Sequence, residues 1–219
     1  MTTLSSRAPF ITFEGGEGAG KTTQARLLAA RLAAACIPCL VTREPGGAPF
    51  AEAIRALLLR ADLPPRSAMS EALLFLAARA DHLAETIMPA LNAGKWVISD
   101  RFADSTFAYQ GAAGGVPEAT LAELHRVVLG DFAPDLTIIL DLPPEIGLTR
   151  IGARHEASGG TDHFESRALA YHQALRQGFL AIAAENPARC VLIDAGASRE
   201  DVAARIWTVV AARLSGKMA

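Results

Sequence analysis

The sequence predicts an α/β protein built on a parallel sheet of five strands with helices on both faces. Two observations carry that prediction. Five short apolar runs, each rich in β-branched or aromatic residues, recur between stretches of helical spacing. Each run is uncharged inside and ends in a charge. Strands covered on both faces read as continuous apolar runs, and helices between them imply parallel pairing. The terminal charges, Glu14, Arg43 with Glu44, Asp100 with Arg101, Asp141 and Asp194, then collect along one rim. Ligands bind at that rim in open α/β sheets.

The first strand is "FITFE", and the loop after it is "GGEGAGKTT". Gly15, Gly20, Lys21 and Thr22 fit G-x-x-x-x-G-K-[ST] in the strand–loop–helix setting that a phosphate-binding loop requires. Backbone N–H groups from Gly15, Gly16, Glu17, Gly18, Ala19 and Gly20 can converge on one anion, helped by the helix N-terminus at Thr22 and Thr23. Lys21 adds a full charge, and Thr22 offers a hydroxyl to a Mg²⁺ ion carried by a nucleoside triphosphate such as ATP. The helix "TTQARLLAARLAAA" follows, then "CIPC" and the strand "CLVTRE". Cys36 and Cys39 follow a helix, whereas reactive C-x-x-C pairs sit at a helix N-terminus, so no redox role is expected. "REPGGAPF" is a turn on the active rim.

The next segment, "SAMSEALLFLAARADHLAETIMPALNAG", is helical. Its stripe of Leu73, Leu76, Ala80, Leu83, Ile87 and Leu91 is expected to face the core. Phe75 and Arg79 stand one turn apart off that stripe, with His82 and Thr86 continuing their flank. Helix geometry alone leaves two readings open: a binding flank, or a core-edge ring beside a solvated arginine. "WVISDR" is the third strand, with Asp100 placed for a Mg²⁺ shell, and "LTIILD" is the fourth. After "PPEIGLTR", the stretch "IGARHEASGGTDHFES" is expected to break the helical pattern as a polar loop. With Arg150 and Arg154 beside it, that loop suits a lid over about 150–165, or else a plain surface loop. "CVLID" is the last strand.

The chain has 219 residues and a net charge of −2, without a composition break or a block of Lys and Arg. One domain over 1–219 with a short tail at 1–8 is expected. A protein that coats nucleic acid or a membrane surface is disfavoured, whereas small phosphorylated ligands fit. With no apolar run approaching the roughly 18–20 residues of a bilayer span, a cytoplasmic protein is expected. The five histidines lack metal-ligand spacing and read as surface or pocket residues.

A phosphate-binding loop serves switches, ATP-driven machines and small-molecule kinases. A guanine-reading N-K-x-D is missing and no partner-binding insertion is visible, which disfavours the first two. A kinase acting on a phosphorylated acceptor needs cations more than a base, because an acceptor phosphate with a second pKa of about 6 is already largely dianionic near neutrality. Lys21, Arg150 and Arg154 can surround the donor, and Arg43 and Arg101 can hold the acceptor phosphate.

"FEGGEGAGKTT", "TREPGG", "LLFLAAR", "DRFADSTFAYQG" and "LDLPPEIGLTR", in that order over nearly the whole chain, resemble the thymidylate kinase family, bacterial type. The resemblance implies a P-loop nucleoside monophosphate kinase fold with a small lid, transfer of a phosphoryl group from MgATP to dTMP, and a homodimer. It further implies that Phe75 stacks on thymine, Arg79 reaches a thymine carbonyl, and Thr106 bonds the base edge. Tyr109 would crowd the sugar 2′ position, with Gln110 nearby and Glu17 on the 3′-hydroxyl side. Arg43, Arg101 and Ser105 would lie near the acceptor phosphate, and Arg150 and Arg154 would close over ATP in place of a P-loop arginine. The lid departs from the family pattern, with Gly152 where another arginine is expected and a glycine-rich "EASGG".

Overall fold

A computed structural model of the chain describes residues 7–60, 62–158, 163–165 and 167–218, with the backbone alone for 154–158. From the amino end run β1 (Phe10–Glu14), α1 (Lys21–Ala34), β2 (Cys39–Arg43) and α2 (Pro49–Leu59). Then come α3 (Ala68–His82), a π-helical turn at Leu83–Ile87, α4 (Met88–Asn92) and β3 (Trp96–Asp100). The short α5 (Ala103–Thr106) passes into a second π-helical turn at Phe107–Ala112, followed by α6 (Glu118–Leu129) and β4 (Leu136–Asp141). The chain continues through α7 (Pro144–Ser158), α8 (Leu169–Glu185), β5 (Cys190–Asp194) and α9 (Arg199–Leu214).

The strands pair in parallel in the order β2-β3-β1-β4-β5. The sheet, its five runs and its parallel pairing match the sequence expectation. Register aligns the carboxyl ends, with Arg43 opposite Asp100, Phe13 opposite Asp100 and Ile138, and Asp141 opposite Asp194. Every residue of β1 is buried because helices cover both faces. On one face Ile11 and Phe13 pack with Leu28 and Leu32 of α1 and with Val202 and Ile206 of α9. On the other, Phe10 meets Ile87, Leu91 and Phe102. The central strand therefore delivers its loop to the middle of the rim.

Local chemistry fixes several helix starts. Pro49 opens α2, where its missing N–H costs nothing. Ser67 caps α3 by accepting from the Ser70 N–H at 3.1 Å. Ser198 caps α9 in the same way, accepting from the Asp201 N–H at 3.1 Å.

Three sequence expectations need correction. The long helix does not bury one stripe: Leu73 and Ala80 are exposed, while Ala72, Arg79 and His82 are buried. These residues all precede the wide turn at Leu83–Ile87; within α3 the buried face is the one whose polar groups find partners, Arg79 with Glu44 and Thr106 and His82 with Glu44 and Thr42. Ile87 and Leu91, beyond or at the end of that turn, are buried as expected. Secondly, the helix after "PPEIGLTR" is not interrupted at Ile151 but continues to Ser158, so the expected lid begins as helix. Residues 159–162 of that lid and the side chain of Arg154 lie outside the described residues. Thirdly, His82, His125 and His172 are not surface groups but are buried, because each side chain is enclosed by helix packing.

Candidate active site

The phosphate loop has the backbone its glycines allow. Gly15, Gly18 and Gly20 adopt φ of 129°, 69° and 91°, a region that a side chain disfavours. Gly20 is the N-cap of α1, which begins at Lys21. The Lys21 ammonium arches over the loop and donates to the Gly15 and Gly16 carbonyls at 3.0 and 2.7 Å. Burial, reinforced by the Arg101 charge, lowers its pKa to about 8 against the pull of Glu17, Asp100 and Glu14. A fixed cation at a helix N-terminus, beside a row of glycine amides, is a phosphate site. Ala19 turns its methyl into the core, leaving its backbone for the loop.

Helix α7 supports this loop by backbone contact. A Cβ on Gly147 would lie 2.2 Å from the Glu17 carbonyl oxygen, and one on Gly18 would lie 2.2 Å from the Gly147 carbonyl oxygen. Neither helix nor loop can accept a methyl group without moving. Gly147→Ala is therefore expected to raise the KM for ATP by about tenfold or more, since small displacements of positioning groups are costly. Steady-state kinetics with ATP varied will check this, and an unchanged KM would mean that α7 yields instead of the loop. Arg150, also on α7, points its guanidinium at the Gly18 and Ala195 carbonyls, each 3.4 Å away.

A cleft of about 340 Å³ runs from Lys21 and Thr22 to Phe75, Thr106 and Gln110. Donor loop and aromatic flank open onto the same space. At its loop end the Thr22 hydroxyl donates to the Asp100 carboxylate. Two hard oxygen donors side by side at a triphosphate site fit a Mg²⁺ ion held mainly by the nucleotide.

Arg101 occupies the centre. Its φ is 74°, unusual for a residue with a side chain. That backbone turn lets the guanidinium bond Gly15 O at 3.1 Å, Ser105 Oγ at 3.3 Å and Glu17 Oε1 at 2.7 Å. The same group lies 4.7 Å from the centre of the Tyr109 ring. Burial opposes the charge on Glu17, yet Arg101, Lys21 and the donated Tyr109 hydroxyl together hold its pKa down to about 2. Glu17 thus stays anionic between a cation and a phenol. Arg43 reaches the cleft while paired with Glu52 at 2.9 Å.

Phe75 lines the cleft as expected, half-buried. Arg79 does not stand free beside it, nor does it line the cleft. It is 1 % exposed, and its guanidinium meets Glu44 at 2.7 Å, Thr106 at 3.0 Å, His125 at 3.1 Å and the Phe102 carbonyl at 2.9 Å. The physical reason is compensation: a charge is buried at acceptable cost when every donor finds a partner. Burial and the Arg79 charge lower the His125 pKa to about 4. The imidazole is therefore neutral, donates from Nδ1 to Leu121 O, and accepts from Arg79 at Nε2. His82 completes the network, sharing Nδ1 with Glu44 at 3.0 Å and Nε2 with Thr42 at 2.7 Å.

Glu14, the terminal charge of β1, is wholly buried beneath Arg101 instead of standing at the solvent rim. It accepts from the Phe102 N–H at 2.8 Å and the Ser105 hydroxyl at 2.6 Å. Burial and the nearby Asp104 push its pKa up to about 8. Between an unfolded value near 4.5 and about 8, the folded chain binds the extra proton, so this group's contribution to stability falls as pH rises through that window. Glu14→Gln removes the titration while keeping an acceptor for Phe102. The Tm of the variant relative to the parent is expected to climb steadily from pH 5 to 8, and a flat difference would contradict the assignment.

Sequence reasoning placed Glu44 on the active rim without a role and missed Arg55, Leu59, Phe164 and Glu165; all five line the cleft. Arg55, in α2 eight residues beyond "REPGG", donates to Pro45 O at 2.7 Å. Phe164 had a signal, being a lone aromatic in a polar stretch.

Comparison with known proteins agrees with this geometry. A family model described as thymidylate kinase matches residues 13–206. The chain is 54% identical over 210 residues to a protein named thymidylate kinase from Bradyrhizobium diazoefficiens, covering 96% of this chain and 92% of that one. It is 57% identical over 211 residues to a like-named protein from Rhodopseudomonas palustris, covering 96% and 91%. A crystal structure of thymidylate kinase from Ehrlichia chaffeensis superposes with a TM-score of 0.74 at 34% identity, covering 94% of this chain and 99% of that one.

Proposed function

The chain belongs to the thymidylate kinase family, phosphorylating dTMP to dTDP, and we propose how its own residues divide that work. The observation that carries the reading is the single cleft shared by Lys21 at one end and Phe75 at the other. Phosphoryl transfer is catalysed mainly by positioning and by cations on the moving group.

The amides and ammonium of residues 15–23 cradle the ATP phosphates. Thr22 and Asp100 would hold a Mg²⁺ ion brought by the nucleotide, which would supply neutralisation of charge on the phosphate oxygens. Arg101 and Arg43 receive the acceptor phosphate, with the Ser105 hydroxyl beside Arg101. No side chain need take a proton, because the acceptor phosphate is already dianionic near neutrality. Phe75 supplies a face for the thymine ring, Thr106 and Gln110 its polar edge, and Arg79 stands behind Thr106 at 3.0 Å. Tyr109 and Glu17, joined by a hydrogen bond, face the sugar and favour deoxyribose. Arg150 and Arg154 are assigned the role of cations for the transferring group on the ATP side.

One P-loop kinase domain accounts for the whole chain in this reading. Phe50, Leu57 and Leu73 leave apolar surface exposed on α2 and α3, and a second copy of the chain is the proposed cover. Light scattering should give the mass of two chains. No helix among the described residues is long and apolar enough to cross a membrane, and the cytoplasm is the proposed location.

Release of ADP measured with dTMP, dUMP, dCMP, dGMP and thymidine in turn tests the assignment. The expected order puts dTMP first by about tenfold or more, since a polar edge matched to one base discriminates strongly. A faster rate with any of the other acceptors would overturn the base-pocket assignment.

A further inference from the structure

Glu71 lies one turn before Phe75 on α3 and is 2 % exposed. Its carboxylate gathers groups from three directions. His163 Nε2 lies 2.9 Å away, Arg167 Nη2 3.3 Å, Gln110 Nε2 3.3 Å and Arg66 Nε 3.5 Å. Arg167 Nη2 also lies 2.9 Å from His163 Nε2; because arginine only donates, that nitrogen either accepts from Arg167 or, protonated, donates to Glu71, and in both states Arg167 itself reaches the carboxylate. A carboxylate buried this deeply is sustained by such a ring of donors and loses heavily without it.

What those donors flank is the notable point. Between His163 and Arg167 sit Phe164 and Glu165, which line the cleft although they lie about 90 residues away in sequence from α3. Phe164 is 5 % exposed. Its ring is tilted against Phe75 and stands edge-on to Tyr109, with centroids 5.8 Å apart in both cases. Those are favourable aromatic geometries, and they form a wall around the acceptor end of the cleft. The His163 ring packs edge-on to Phe164 at 5.1 Å, so the group that bonds Glu71 also braces the wall.

We propose that Glu71 is a positioning residue for acceptor recognition: its carboxylate fixes His163 and Arg167 to α3 and so holds Phe164 against Phe75 and Tyr109. The inference rests on the acceptor-site reading above and deepens it. Glu71 is not among the cleft-lining residues; it acts through Phe164 and through Gln110, which donates to it at 3.3 Å. A purely structural carboxylate would lower stability and damage both substrate sites alike, whereas a positioning one weakens the acceptor site selectively.

Glu71→Gln in the full chain separates the two. It is expected to raise the KM for dTMP by about tenfold while the KM for ATP and kcat stay within about twofold, the pattern of lost acceptor binding. Arg167→Gln, at a half-exposed partner, should act in the same direction. The double variant should be little worse than Glu71→Gln alone, because both changes cut one connection. Amide hydrogen exchange at residues 163–165 should quicken in either variant without any nucleotide present. A KM for dTMP within twofold of the parent, equal rises in both KM values, or unchanged exchange would each overturn the proposal. Should Glu71→Gln not fold, Arg167→Gln and His163→Gln carry the same measurements. If the parent chain itself did not turn over dTMP, the functional reading would fail, and the exchange comparison would still decide whether Glu71 holds the segment.

Discussion

Replacing Arg101 with alanine is expected to lower kcat by about 10²–10³-fold, the usual cost of removing one preorganised group that meets developing charge. The structure gives the reason in three parts. The guanidinium is fixed by Gly15, Ser105 and Glu17, so it is oriented before any substrate arrives. It lies in the cleft between the phosphate loop and the aromatic end, where the two nucleotides must meet. And it helps hold Glu17 anionic, so its loss also weakens the charge that Tyr109 donates to, on the flank proposed to face the sugar. Arg101→Lys should recover little, because a point charge cannot span three partners as the fork does. Rates at saturating ATP and dTMP, with circular dichroism to verify folding, provide the check. A kcat within a few-fold of the parent would remove Arg101 from the reacting centre.

Arg79→Met is the second large effect, and its first readout is stability. Removing one partner from a buried ion pair typically costs about 3–5 kcal/mol, because the remaining charge is stranded. Here Glu44, 5 % exposed, loses its arginine and keeps only His82 at 3.0 Å, and the Thr106, His125 and Phe102 contacts vanish at the same time. For a chain of this size that predicts a fall in Tm on the order of 10 °C. The network joins the end of β2, α3, the α5 region and α6, so residual activity should show weakened dTMP binding as well. Calorimetry on the variant decides the matter. A Tm within a degree or two of the parent would mean that Glu44 and its neighbours can be relieved by water.

Much of the site was legible without coordinates. The phosphate loop is encoded locally: strand, glycines, Lys21 and helix lie within one continuous stretch, and their geometry follows from backbone freedom and hydrogen bonding among neighbours. Asp100 and Arg101 were legible because a parallel sheet must deliver strand ends to one rim. Phe75 was found as a ring off the expected stripe. The stripe itself was partly wrong: Leu73 and Ala80 are exposed because α3 buries instead the face carrying Ala72, Arg79 and His82, whose partners come from distant parts of the chain. Arg79 was placed beside the cleft, although its partners were already waiting in the interior.

By itself, the sequence determined the strands and their direction, the loop that grips phosphate, and the rim where chemistry happens. All of these arise from interactions between near neighbours or from a repeated alternation of strand and helix. Only the tertiary structure decided that Arg79 is walled in by Glu44 and His125, that Glu14 is buried under Arg101, and that Glu71 gathers His163 from 92 positions away. Those outcomes depend on whether each polar group, once desolvated by packing, finds a partner brought from a distant part of the chain. No local pattern carries that information.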